Sequence, residues 1–424
     1  MASFARLAGR AAAGAGVLAL SPVLGLAALA GMAMVGAEPM AFAVTGLAGF
    51  ASVSFLGLLL CVPRPRAAWG RWLRSVVILG VEIAVVWHVT AATLRPTPVH
   101  APAAPVAGQR EWRLPTGSEL AYVRLAPKRV TRPDPVVFLH GGPGVADLAA
   151  SSAFFRELTA DGYQVYVYDQ LGAGRSERLR DPSGYGLTRD VADLEAIRQT
   201  VGAGRLNLIA HDYGAQLATA YLAAHPDRVA KAVLASPTGL VPGSPAGSPT
   251  GPSLATEPQG PQADGKVEAA AVFGRDGSPD PRLLAVSTLL RVDPLAAHAF
   301  AGDRELDAYL DLVRRGAPHS CPAAATTGSG GYVGLIGRAA PRSLGSSLTE
   351  ATAPVLIVKA ACDEQSWASA MDYRRALPSA ALAYIGGGTY RSEAYLGLLR
   401  AFLTGRPVHA YEGDVPPPDY RGPR

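Results

Sequence analysis

The hydrophobic pattern divides the chain in two. Three long apolar runs come first, at about Ala11–Gly36, residues 41–62 and residues 75–94. Each is close to the ~20 residues that a bilayer core demands of a helix. A cleaved signal is the plainer reading of the first run; its length and the two runs that follow favour a membrane helix. From residue 110 the period changes. "REWRLPTGSELAYVRLAP" (110–127) reads as a hairpin turning at "PTGS", and "PVVFLHGGPG" (135–144) as a buried strand entering a glycine turn. A strand and turn follow at 163–176, a helix at 188–202, a strand–turn–helix at 205–229 and a strand at 229–237. Strands alternating with helices predict a mostly parallel sheet covered on both faces.

That alternation breaks at 241–266, which is rich in Pro, Gly and Ser and reads as a disordered stretch. Helical spacing over 280–315 follows, and strand pattern returns at 353–364 and 380–388 before an amphipathic helix at 391–405. The expected organisation is a membrane region (1–95), a Pro/Ala-rich linker (96–109), an α/β core (110–240 and 351–406), a lid (241–350) and a tail (407–424).

Charge supplies an orientation. The 424 residues carry a net charge of +5, and 1–95 alone hold seven arginines against Glu38 and Glu82, a local +5. The remainder has 32 basic and 32 acidic residues, so it is neutral and carries no basic stripe for nucleic acid. Arg6 and Arg10 precede the first run, and Arg64, Arg66, Arg71 and Arg74 crowd the loop between the second and third. The positive-inside rule puts those segments in the cytoplasm and the α/β domain on the extracytoplasmic side of the membrane. Within the third run Glu82 and His88 are ionisable, but their spacing puts them on different helix faces, which favours a polar helix–helix contact for the glutamate.

The chemistry centres on "RLNLIAHDYGAQLATAYLAAHPDRV" (205–229), in which Asp212 tips a strand-to-helix turn between the small residues Ala210 and Gly214. This is the pattern of a nucleophile elbow. The following helix N-terminus favours negative charge, so an ionised Asp212 is expected. "HGGPG" (140–144), "YDQLGAGRS" (168–176), the elbow, "AAHPDRV" (223–229) and "CDEQSW" (362–367) together resemble the α/β-hydrolase superfamily, in its prolyl aminopeptidase (proline iminopeptidase)-like branch, over roughly 110–406. The resemblance implies oxyanion-hole N–H groups from Gly141 or Gly142 and from Tyr213, and a triad acid at Asp363. It also implies a serine where Asp212 stands and a histidine where "GGGTY" has Thr389.

Those two departures define the functional alternatives. A carboxylate that attacks an amide is expelled again in preference to the amine, so peptidase action through Asp212 is disfavoured. "HDYG" is similar to the "HDWG" elbow of epoxide hydrolases and haloalkane dehalogenases, which makes Asp212 a candidate nucleophile, with Tyr309 or Tyr332 of the lid as proton donor to an epoxide. Without a base to activate water the covalent ester would stall. A non-catalytic binding protein explains both departures together, and an Asp-base lyase or cyclase is a further reading. The expected ligand is a small molecule or short peptide in a lidded pocket. The remaining histidines fall in the linker, the oxyanion turn, helix ends or the tail; His298 and His319 of the lid are the ones with reach, and surface or packing roles are the plainer reading for them. Asp303, Glu305 and Asp307 read as a solvated helix face. Cys61 falls in the second run, while Cys321 and Cys362 are expected to pair as a disulfide. No clustered His/Cys spacing points to a metal, and no motif calls for a cofactor.

Overall fold

Runs of β-branched and aliphatic residues in "VVFL", "VYVY", "LNLIAH" and "VLIVKA" are apolar on both faces, as strands covered by helices must be. In the computed structural model they are inner strands of an eight-stranded sheet. The structure describes residues 2–99, 104–240, 280–316, 330–336, 348, 351–377, 379–387 and 389–423. The described residues divide into two compact units. One holds the N-terminal helices with 180–182 and 280–302; the other holds the sheet and the rest.

In the sheet unit the strands are β1 (Gln109–Arg113), β2 (Glu119–Leu125), β3 (Val136–Leu139), β4 (Val165–Tyr168), β5 (Leu206–His211), β6 (Val229–Ala235), β7 (Val355–Ala360) and β8 (Ala381–Ile385). Their spatial order is β1-β2-β4-β3-β5-β6-β7-β8. The expected hairpin is β1–β2, in antiparallel register from Gln109 opposite Val123 to Arg113 opposite Glu119. β2 also runs antiparallel to β4, and every pair from β4 to β8 is parallel. One apolar cluster joins Val136, Val167, Ile209, Val233, Leu356 and Val358 to Leu396 and Leu399 of the last helix. Lys359, wholly buried, interrupts the apolar run of β7.

In the N-terminal unit, helices α1 (Ala2–Met34), α2 (Pro39–Cys61) and α3 (Ala68–Leu94) contain three segments long and apolar enough to span a membrane. The third helix begins seven residues before the apolar run that predicted it. Arg74 there donates to the carbonyls of Val62 (3.0 Å) and Leu59 (2.7 Å), which end α2. The cation meets the negative end of the helix dipole, and that contact extends α3 into its polar flank. α1 and α2 approach so closely that a Cβ on Gly25 would lie 3.0 Å from the Gly46 carbonyl oxygen. Glu82 is buried and accepts a 2.7 Å hydrogen bond from Ser54, a polar contact between α3 and α2.

The remaining helices are α4 (Leu148–Phe155), α5 (Leu187–Thr200), α6 (Tyr213–Ala224), α7 (Pro281–Val292), α8 (Pro294–Phe300), α9 (Asp303–Gly316), α10 (Tyr332–Ile336), α11 (Trp367–Ala376) and α12 (Glu393–Thr404). The expected lid divides. α7 and α8 pack on the N-terminal helices, whereas α9 and α10 belong to the sheet unit. Asp-Pro pairs start α7 and α8: Asp280 accepts from Arg282 and Leu283 N–H, and Asp293 from Ala296 N–H, each followed by proline in the first turn. The low-complexity stretch 241–266 lies outside the described residues.

The sheet core generates a stability prediction. Leu356 is fully buried in β7 between neighbours on both faces. Leu356→Ala leaves a cavity and should lower unfolding free energy by about 2–5 kcal/mol, measured by denaturant unfolding of the full chain in detergent.

Candidate functional site

The carboxyl ends of β3, β5, β6, β7 and β8 lead into the segments that build the site. β5 ends at His211, α6 begins at Tyr213, and Asp212 joins them with φ 53° and ψ −117°. That positive φ is unfavourable for a residue with a Cβ, and among the described residues Ser236, at φ 48°, is the other non-glycine that adopts one. Both strained residues serve the site. The elbow closes against β3, where a Cβ on Gly214 would lie 2.2 Å from the Leu139 carbonyl oxygen, which is why small residues flank the tip. A Cβ on Gly141 would lie 2.8 Å from Asp212 Oδ2. The glycine turn after β3 must therefore approach the carboxylate without side chains.

The Gly142 N–H donates to Asp212 Oδ2 at 2.6 Å, and Gln365 Nε2 donates to Oδ1 at 2.8 Å. The Tyr213 N–H also bonds the carboxyl. The two N–H groups expected to form an oxyanion hole are thus turned on the side chain at the elbow tip. Burial pushes the Asp212 pKa up to about 7, against the stabilising Gly142 and Tyr213 N–H groups, and the nearby Glu364 and Asp363 add to the rise. The helix N-terminus predicts an ionised Asp212; a pKa of about 7 instead leaves it part protonated at neutral pH. Two backbone donors do favour the anion, but loss of water outweighs them.

Asp363 lies beyond the end of β7, where the resemblance put it, and is buried. Its Oδ1 accepts from Ser236 Oγ at 2.5 Å and from the Gln365 N–H at 2.8 Å. Its Oδ2 accepts from Lys359 Nζ at 2.8 Å and from the Tyr390 hydroxyl. Thr389 itself is exposed; the next residue, Tyr390, reaches the acid. The Tyr390 hydroxyl also accepts from the Ala360 N–H at 3.0 Å. Burial raises the Tyr390 pKa well above its usual value, so it is a hydroxyl donor at neutral pH. Lys359 Nζ also donates to the carbonyls of Gln365 (2.8 Å) and Ser366 (3.1 Å). Every proton of this buried ammonium is used, which is what makes a charge tolerable there. Burial nonetheless lowers its pKa.

No described imidazole bonds the Asp212 carboxyl. His211 packs edge-on against the Tyr390 ring at 4.9 Å, and burial lowers its pKa to about 4 against the pull of Asp363, so it is neutral at pH 7. His140 Nε2 accepts the Gln170 N–H at 2.9 Å; its protonated Nδ1 then faces the Gly141 carbonyl at 3.0 Å, a structural role. His298 belongs to the N-terminal unit, and His319 lies outside the described residues. The lid tyrosines do not enter the hydrogen bonds of Asp212: Tyr332 is fully buried in α10 and Tyr309 lies on α9.

The acids of α9 are not a solvated face. Asp303, Glu305 and Asp307 are all buried. Arg178 Nη1 bonds Asp303 Oδ1 at 3.0 Å, and its Nη2 bonds Asp307 Oδ2 at 3.2 Å. Arg178 also bonds the Gly172 and Gly174 carbonyls, so one guanidinium ties α9 to the turn after β4. Burial raises the Asp303 pKa to about 6 against the pull of Arg178. Cys362 is disulfide-bonded and Cys61 is free, while Cys321 lies outside the described residues.

Sequence reasoning missed Gln365, Tyr390, Lys359 and Ser236. Two signals were available: a lysine inside the apolar run "PVLIVKAA", and a tyrosine beside the position where the histidine was sought.

A family model described as the alpha/beta hydrolase fold matches residues 134–268. The chain has an α/β-hydrolase fold, with a mostly parallel sheet preceded by three long apolar helices. It is distantly similar to proline iminopeptidases: 36% identical over 103 residues to that of Heyndrickxia coagulans, covering 24% of this chain and 35% of the relative. To that of Lactobacillus helveticus it is 33% identical over 132 residues, covering 30% and 43%. The matched stretch is therefore less than half the length of these relatives. Among solved structures, the proline iminopeptidase of Mycobacterium smegmatis superposes with a TM-score of 0.44 at 18% identity over 70% of this chain and 98% of its own. A bacterial membrane phospholipase A gives 0.45 at 18% identity over 79% and 97%.

The raised Asp212 pKa has a consequence for stability. The folded carboxyl holds its proton to about pH 7, whereas an unfolded aspartate releases it near pH ~3.9. Between those values the folded state binds more protons, so stability falls as pH rises and stays reduced above pH 7. Asp212→Asn keeps the Gly142 bond through its amide oxygen and removes this loss. Between pH 5 and pH 8 the wild type should lose about 2 kcal/mol relative to the variant, after screening of a partly exposed group, read from paired denaturation curves.

Proposed function

We propose that this is a membrane-tethered α/β-hydrolase-fold protein of aminopeptidase-like ancestry that has given up the serine–histidine hydrolytic cycle. It uses Asp212 as a carboxyl that binds, and exchanges a proton with, a small-molecule or short-peptide ligand. One observation carries the reading: the Asp212 carboxylate occupies the Gly142 and Tyr213 N–H groups itself. An acyl-transfer site needs those donors free for a developing oxyanion. It also needs a base joined to the acid, and Asp363 is already taken by Lys359, Tyr390, Ser236 and the Gln365 N–H. A carboxyl with a pKa of about 7 has both protonation states at neutral pH. It can donate a hydrogen bond to a ligand carbonyl or pair with a ligand amine. The arginine distribution supports placing the α/β domain on the extracytoplasmic face.

The purified protein should not hydrolyse proline anilides or nitrophenyl esters above the rate of its Asp212→Ala variant. Turnover that this substitution abolishes would refute the reading.

A second reading rests on the asymmetry of the carboxylate. Oδ2 accepts from the Gly142 N–H, while Oδ1 accepts from the displaceable Gln365 amide. Oδ1 attacking an epoxide carbon would form an ester whose carbonyl oxygen already sits against Gly142 N–H, with the opened oxygen protonated from solvent. With no described imidazole to activate water, the ester should persist. Mass spectrometry after incubation with simple epoxides should then find the added mass on the peptide containing Asp212, and unmodified peptide throughout would exclude this route.

A further inference from the structure

Helices α7 and α8 lie in the chain between β6 and β7, yet they pack on the three apolar helices. The joint is built from specific contacts. Arg282, in the first turn of α7, donates to the Thr93 carbonyl at 2.8 Å and to the Phe300 carbonyl at 3.0 Å. Thr93 is in the last turn of α3, which holds no basic residue within the turn and is capped by Arg95. Arg282 adds a second cation, from another helix, and satisfies one of the free carbonyls of that C-terminus. Its guanidinium also lies 4.6 Å from the centre of the Phe300 ring, and Phe300 packs 5.9 Å from Phe42 in the first turn of α2. The end of α3 and the start of α2 are thus bracketed by one α7–α8 pair.

Depth along α3 places this joint in the bilayer. Trp69, Trp72 and Trp87 are all highly exposed on α3, at 73%, 70% and 71%. At ~1.5 Å per residue they are about 22–27 Å apart, close to the ~30 Å hydrocarbon thickness that interfacial tryptophans flank. Thr93 lies about 9 Å beyond Trp87 by the same rise, which is headgroup depth. At the same end Met34, Val35 and Met40, around the α1–α2 turn, are exposed. Val292 and Leu295, at the turn between α7 and α8, are exposed too. Water is a poor solvent for so many apolar side chains at one end of a bundle. The headgroup–acyl boundary is a good one for exposed apolar side chains with the exposed Arg291 beside them.

We infer that the α7–α8 pair is an interfacial membrane element, lying in the lipid headgroup layer with Val292 and Leu295 turned towards the acyl boundary. The insertion between β6 and β7 would then attach the α/β domain to the bilayer a second time, independently of the linker after α3.

The test uses the full chain in lipid nanodiscs. Leu295→Cys is made in a Cys61→Ser background and labelled with an environment-sensitive fluorophore; Glu412→Cys, exposed in the sheet unit, is the control. A lipid spin label placed near the headgroups should quench position 295 strongly, and aqueous iodide weakly; position 412 should show the reverse. Val292→Cys should behave as position 295 does. Equal access of iodide to 295 and 412 would overturn the inference. So would protection of 295 from both quenchers, which would mean that protein, not lipid, covers it. The native tryptophans of α3 report bundle insertion separately, so a failure of the membrane assignment is distinguishable from a failure of this one.

Discussion

The constraint on which this site depends is the left-handed backbone at Asp212. A positive φ at a residue with a Cβ is held only where the surroundings over-determine it. Here β5 fixes one side, the N-terminus of α6 the other, and Gly214 allows both to close on β3. The same geometry throws the carboxylate into the glycine turn, within 2.6 Å of the Gly142 N–H. In this arrangement the tip side chain is its own anion. The Gly142 and Tyr213 N–H groups stabilise the carboxylate of Asp212 itself, and its protonation follows from the balance between those donors and burial.

Around that carboxylate the polar groups form one connected set. Gln365 bonds Asp212 with its side chain and Asp363 with its main chain. Asp363 is neutralised by Lys359 and held by Tyr390 and Ser236. A buried carboxylate without a positive partner would be strongly unfavourable, so the lysine in β7 and the acid after it form a single unit. Tyr390 satisfies Asp363 but cannot relay a proton as an imidazole does, because its hydroxyl stays protonated across the physiological range. Asp363 is held by these partners, and its link to Asp212 runs through the Gln365 amide, which does not titrate.

The second large ion pair cluster follows the same logic. Arg178 bridges Asp303 and Asp307 of α9 to the turn after β4. Those acids lie on an amphipathic helix, and by spacing alone such a helix presents its acids to water. A single guanidinium arriving from more than a hundred residues away in sequence reverses that.

What the sequence determined by itself was whatever depends on local pattern. Run length and apolarity set the three long helices. Two-faced apolar runs set the parallel sheet, and the small residues around Asp212 marked the elbow. The tertiary structure alone decided the rest, because each such feature joins residues distant in the chain. Burial raised the Asp212 pKa that local dipoles would have kept low. The register of β8 brought Tyr390, and not Thr389, onto Asp363. Arg282 and Phe300 assigned α7 and α8 to the apolar helices through contacts with Thr93 and Phe42. Local periodicity specifies which face of an element is apolar; it does not specify which apolar surface that face will meet.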